Sequence, residues 1–254
     1  MKNISFIALI LIITGTMLST RPILAQTDEN GVPLNILSQA EKLSGWKLLW
    51  DGKTTKGWHG TRIDHFPTKG WSMADGILTV DKSSGKESAH GGDIVTDKEY
   101  SQFELSLEFK LTPGANSGIK YHVFPKQPKQ KGSGIGLEYQ LLDDARHPDA
   151  KKGVGGNRTL ASLYDLIPAE NKAPQPIGKW NHARIISYND GRVEHWLNGK
   201  KVLEYNRFSQ AFRALVQKSK FVGYKDFGQI KGGLILLQEH GHEVHFRNIK
   251  IREF

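Results

Sequence analysis

Residues 135–142 read I-G-L-E-Y-Q-L-L, and residues 117–124, a little earlier, read S-G-I-K-Y-H-V-F. Both alternate, as strands do when successive side chains point to opposite faces. In the later stretch Ile135, Leu137, Tyr139 and Leu141 share one face, and Gly136, Glu138 and Gln140 share the other. In the earlier stretch Ile119, Tyr121 and Val123 share one face, and Gly118, Lys120, His122 and Phe124 the other. If the two pair, Lys120, His122, Glu138 and Gln140 gather on one polar face. That face is either a site on a rigid support or an ordinary solvated surface, and alternation alone fits both.

The flanking sequence extends the same pattern. Phe103, Leu105, Leu107, Phe109 and Leu111 alternate with Glu104, Ser106, Glu108 and Lys110, which predicts a half-buried strand, and Pro113-Gly114 turns the chain after it. Upstream, Trp46–Trp50 reads as a strand, and 71–73 and 77–80 read as a hairpin about Asp75-Gly76. Downstream, 180–187, 193–197 and 202–205 form a meander, with a possible strand at 160–166 before it and strands at 233–238 and 244–251 after it. Helix is confined to a capping box at Ser38-Gln39-Ala40-Glu41, running to about Leu43, and to Ser209–Lys218 with Phe212, Leu215 and Val216 inward. Many short strands with turn signals predict a β-sandwich or barrel. The polar run from Asp143 to Arg158 is a long loop directly after Glu138 and Gln140, a place where loops tend to be functional.

The chain has 254 residues, no cysteine and a formal charge of +9. Residues 1–25 stand apart: Lys2 is basic, Phe6–Ile13 is apolar, and Ala25 is a small residue at the end. They read as a secretory leader too short to span a bilayer well, with a periplasmic or secreted product and no membrane attachment after cleavage. Residues 26–44 then form an extension with the short helix, and 45–254 one domain. Without cysteine, the core rather than disulfides must hold the fold. The basic charge has no nucleic-acid motif beside it, so a basic solvated surface is the simpler reading and nucleic acid is not an expected partner.

Among recognisable chemistries, there is no phosphate-binding loop, no nucleophile elbow and no cysteine nucleophile. His240, His242 and His245 are closely spaced enough to raise the question of a metal, which stays open, and no cofactor is assigned. Glu138 with Asp143 or Asp144 suggests a two-carboxylate glycosidase, although Gln140 stands where a middle acid would be expected.

An ordered series of segments resembles the 3-keto-disaccharide hydrolase family. It comprises G-W-K-L-L-W-D-G-K (45–53), G-W-S-M-A-D-G-I-L (70–78), Y-S-Q-F-E-L-S-L-E-F-K (100–110), N-S-G-I-K-Y (116–121), L-E-Y-Q-L-L-D-D (137–144), G-N-R-T-L-A-S-L-Y-D-L (156–166), W-N-H-A-R-I (180–185), V-E-H-W-L-N-G (193–199), L-L-Q-E-H-G (236–241) and F-R-N-I-K-I-R (246–252). The resemblance implies an all-β, concanavalin-A-like jelly-roll sandwich of two antiparallel sheets. It also implies an exported enzyme acting on an oxidised glycoside or disaccharide. In such chemistry a ketone at C3 acidifies the C2 hydrogen, a base removes it, the C1 group leaves and water adds. On that reading Glu138 is the base, Lys120 or His122 steadies the enolate, and His240 supplies a proton. Gln140, Gln238 and Arg158 hold hydroxyls, Asp143 borders the sugar and Tyr164 or a tryptophan stacks on it. The rival readings are a conventional glycosidase, a non-catalytic carbohydrate-binding module, and for Glu138 alone a cross-strand ion pair with Lys120.

Overall fold

The computed structural model describes residues 26–254; the leader read at 1–25 lies outside the described residues. Ser38 accepts from Glu41 N, and Glu41 returns a bond to Ser38 N, so the capping box starts helix α1 (Gln39–Leu43) as its sequence dictates. Then follow β1 (Lys47–Leu48), β2 (Trp58–Gly60), β3 (Trp71–Ala74), β4 (Ile77–Val80), β5 (Ile94–Thr96), β6 (Phe103–Leu111), β7 (Asn116–Val123) and β8 (Leu137–Leu142). A 3-10 turn at Pro148–Lys151 precedes β9 (Trp180–Ser187), β10 (Arg192–Leu197) and β11 (Lys200–Asn206). Helix α2 (Gln210–Gln217), β12 (Leu234–Leu237) and β13 (Val244–Glu253) complete the order.

The strands form two antiparallel sheets packed face to face, the sandwich the alternation predicts. One runs β11-β10-β9-β6-β13-β4-β3, with β1 added on β13; the other runs β2-β5-β12-β7-β8. Between them lie Phe103, Leu105, Leu107 and Phe109 of β6 and Ile119, Tyr121, Leu137 and Tyr139 of β7 and β8. Each such side chain contributes on the order of 1.5–3 kcal/mol by leaving water. Asp75 and Gly76 both have positive φ, the conformation of a tight two-residue hairpin turn between β3 and β4.

Several expectations change. The first strand shrinks to two residues, and 160–166 is a turn-rich segment that runs along the edge of β8 through an isolated bridge at Leu163 and a few backbone hydrogen bonds, without forming a regular strand. Leu215 is exposed, whereas Phe212 and Val216 of α2 are buried. The most consequential difference is in β7. Leu234 pairs with Val123 and Leu236 with Lys120, so β7 advances three residues where β12 advances two. This bulge falls at His122, whose φ is +46°, and it reverses side-chain parity beyond Tyr121. His122 therefore turns inward, Nε2 2.8 Å from Ser187 Oγ of the opposite sheet, while Val123 turns outward to Val95, Leu234 and Leu236.

Candidate functional site

The outer face of the smaller sheet carries the polar cluster. Lys120 of β7 and Glu138 of β8 are direct cross-strand partners, as are Gly118 and Gln140. Loops cover this face, so it is not a solvated surface: Lys120 and Glu138 are each 5 % exposed and Gln140 is 1 % exposed. Gly118 is required here, because a Cβ at that position would lie 2.4 Å from Glu138 Oε1.

Over these strands opens a narrow, mostly polar pocket of about 20 Å3. Asn116, Glu138 and Gln140 form its floor, and Gln238 and His240 enter from the segment after β12. Tyr164, Glu87 and Lys220 enter from three loops. The segment carrying Tyr164 is fastened along the edge of β8, through Tyr164 N to Glu138 O and Ala161 N to Gln140 O. The Tyr164 hydroxyl donates to Asp149 Oδ2 at 2.8 Å.

The electrostatics single out Glu138. Burial pushes its carboxyl pKa up and Glu87 adds to this, against the opposing pull of Lys120 and Lys220. Lys120 Nζ stands 3.4 Å from Glu138 Oε2 and also donates to Ser133 Oγ at 2.5 Å and Gly134 O at 3.1 Å. Its three hydrogens are thereby used. Burial works against the lysine's charge, but Glu138, Asp93 and Glu87 outweigh it and raise its pKa. With its amide nitrogen toward acceptor-only neighbours, Gln140 donates to Glu138 Oε1 at 3.3 Å and Ser117 O at 2.9 Å. Glu138 is thus a buried carboxylate held in place and relatively basic. Burial also opposes ionisation of Glu87, yet Lys120, Lys220 and His240 prevail and keep its pKa low. His240 Nε2 lies 3.3 Å from the Asn116 amide nitrogen, and its buried Nδ1 has no partner.

Glu138, His240, Gln140, Tyr164 and Gln238 therefore meet around one pocket, with Lys120 directly behind Glu138. Arg158 does not reach it; it braces Tyr164's segment through Asp149 at 3.2 Å and Asp165 at 2.7 Å. Asp143 closes a turn, accepting from Gly114 N, Ala145 N and Arg146. His122 is in the core, where burial and then Arg207 drive its pKa down to about 3. Trp180 and Trp196 do not line the pocket: half-buried, they stack beneath Arg247 and Arg184 respectively. His245 faces Thr79 and Glu243, and it is His147 that joins His240 and His242. The rings of His240 and His242 stack at 22°, and among the described residues no three His, Cys, Asp or Glu side chains are placed to hold a metal ion.

Sequence reasoning missed Glu87, Lys220 and the hub beneath them, Asp93. Asp93 Oδ2 accepts from Ser133 Oγ at 2.5 Å and Gly134 N at 2.9 Å, and Oδ1 from Ser88 Oγ and Glu239 N. The run G-G-D before a strand was the only local signal for it, and the other two lie on loops without periodicity. A larger cleft of about 390 Å3 lies beneath Val32 and Ile36, but its carboxylates Glu41 and Glu108 are paired with Lys250 and Arg247, and its histidine, His182, is hydrogen-bonded to Ser106 Oγ.

Residues 45–252 match the family described as the 3-keto-alpha-glucoside-1,2-lyase-like domain. The chain is 38% identical over 228 residues to a 3-keto-disaccharide hydrolase of Bacteroides thetaiotaomicron, spanning 82% of this chain and 78% of that protein. Two crystal structures from Parabacteroides distasonis, both assigned as glycosyl hydrolases, share the fold. One has a TM-score of 0.76 at 33% identity and covers 87% of this chain and 99% of its own. The second has a TM-score of 0.59 at 27% identity and covers 82% and 99%.

Proposed function

Because the chain belongs to the 3-keto-alpha-glucoside-1,2-lyase-like family, we propose that it is a carbohydrate-active enzyme that opens 3-keto glycosides by elimination and hydration. Glu138 removes the C2 proton, the C3 ketone carries the resulting charge, and the C1 oxygen leaves with a proton from His240. Water then adds at C1 to give the free 3-keto sugar. The observation that carries this reading is Glu138 itself, a buried carboxylate, immobilised by Lys120 and Gln140, at the floor of the pocket, whose pKa burial raises above the ordinary glutamate value. Gln140, Gln238 and Asn116 offer amides to sugar hydroxyls, and Tyr164 offers a ring edge at the mouth. The leader read at 1–25 supports an exported enzyme; amino-terminal sequencing of the mature protein would locate the cut.

One observation favours a second reading. Glu138, with its pKa raised, and Glu87, with its pKa lowered, share the pocket, and such divergent carboxylates suit a glycosidase working on intact sugars. Incubation with a 3-keto glucoside and with its unoxidised parent separates the two. Release of aglycone from the oxidised sugar alone is expected. Release from the parent would establish the glycosidase, and release from neither would leave a binding module.

A further inference from the structure

Elimination through an enolate needs a hydrogen-bond donor at the C3 oxygen, and neither group suggested by the sequence is free to serve. His122 lies between the sheets, and the hydrogens of Lys120 are taken by Ser133, Gly134 and Glu138. From the geometry we infer that Lys220 is the ammonium that holds the developing C3 oxyanion, a further catalytic residue for the reaction proposed above, on which this inference rests.

Lys220 lies beyond α2, and its backbone N–H donates to Asp165 Oδ2 at 3.0 Å, which ties it to the segment carrying Tyr164. Its side chain lines the pocket that holds Glu138 and His240. The Nζ stands 4.2 Å from the centre of the Tyr164 ring. Glu138 and Glu87 act on it through space, and among the described residues no ion pair or hydrogen bond engages the Nζ. Lys220 therefore has donors to spare, unlike Lys120, and it lines the pocket, which Lys120 does not. The residue as a whole is exposed, so the side chain has room to swing its ammonium from the tyrosine ring onto an oxygen of an entering sugar.

The electron flow closes around it. As Glu138 takes the C2 proton, the C–H pair forms the C2–C3 double bond and the carbonyl pair moves onto the C3 oxygen. Lys220 donates a hydrogen bond to that oxygen and keeps its proton. When the carbonyl re-forms, a C1–C2 double bond forms and the C1–O bond breaks toward the aglycone oxygen, which is protonated by His240.

Such a donor must be charged. Desolvation on the pocket side, with help from Lys120, pulls the Lys220 pKa below the ordinary lysine value against the pull of Glu138 and Glu87. Losing that proton as pH rises would bring down the alkaline limb of kcat. The test compares kcat, KM and C2-hydrogen exchange on a 3-keto glucoside for wild type, Lys220→Met and Lys220→Arg. The methionine variant is expected to lose about 10²–10³-fold in kcat and in exchange, with KM little changed. The arginine variant should recover part of the rate and carry the alkaline limb to higher pH, which a merely structural lysine would not do. Wild-type kcat in the methionine variant overturns the inference, as does an alkaline limb unmoved in the arginine variant. If the methionine variant does not fold, the arginine profile decides. A wild type inactive on the 3-keto glucoside removes the proposed reaction and this role with it, whereas an active wild type with an equally active methionine variant removes only the lysine.

Discussion

At the scale of single residues, the site rests on how Glu138 is held. Glu138→Gln preserves shape and hydrogen bonding but removes the base, so kcat on a 3-keto glucoside should fall by ~10²–10⁴-fold. Deuterium exchange at C2 should fall in parallel, since proton removal precedes departure of the C1 group. In the wild type, protonation of this base should switch activity off as pH drops through a value above the ordinary 4.5 of a glutamate, and in the glutamine variant this acid limb should vanish. A glutamine variant that folds and still turns over and exchanges at the wild-type rate would remove Glu138 from the mechanism. Glu138, Lys120 and Gln140 were legible because a strict period of two fixes their common face. His122 was not, because a bulge leaves no mark in an alternating string: S-G-I-K-Y-H-V-F reads the same with or without it. Glu87 and Lys220 were illegible for a different reason, since only tertiary folding brings their loops over the sheet.

At the scale of elements, β7 and β8 divide the labour, one strand carrying the base and the other leaving room for it. The missing Cβ of Gly118 is the space in which the Glu138 carboxylate sits. Gly118→Ala should displace that carboxylate while keeping the ladder between the strands. A displacement near 1 Å costs on the order of 10²-fold in rate, so a large drop in kcat with a far-ultraviolet spectrum like the wild type is expected; unchanged kinetics would show that the carboxylate has somewhere else to go. The alternation of β6 and the turn at Asp75-Gly76 were readable because local rules govern them. The segment 160–166 misled in part: its backbone does bond along the edge of β8, but turns at Thr159–Ser162 and Leu163–Ile167 break it up, so Leu160, Leu163 and Leu166 are buried without a regular strand.

At the scale of the whole molecule, the core between the sheets contains two neutral histidines. His195 bonds Tyr121 Oη at 2.7 Å and Ala161 O at 2.8 Å, and burial lowers its pKa to about 4; His122 sits nearby at about 3. Both ionise near 6.5 once unfolded, so below that pH the unfolded chain binds more protons and stability falls as pH falls toward 4. Each pH unit costs about 1.4 kcal/mol per histidine in that window. The lowered pKa values of His147, His182, His242 and His245 act in the same direction, and the raised pKa of Glu138 works against them. The urea midpoint should therefore drop steeply between pH 6.5 and 4, and His122→Asn should flatten the slope; a midpoint constant over that range would refute the assignment. The same sheet geometry has a consequence for biosynthesis. β13 comes later in the chain than every strand it joins, yet it lies between β6 and β4 and also carries β1. While it is still within the ribosome, β6 and β4 have no seam between them, and the nascent polypeptide has no native state to reach. Folding must wait for translation to deliver Val244–Glu253, which leaves a long interval in which chaperones, rather than the molecule's own contacts, keep the exposed strands apart.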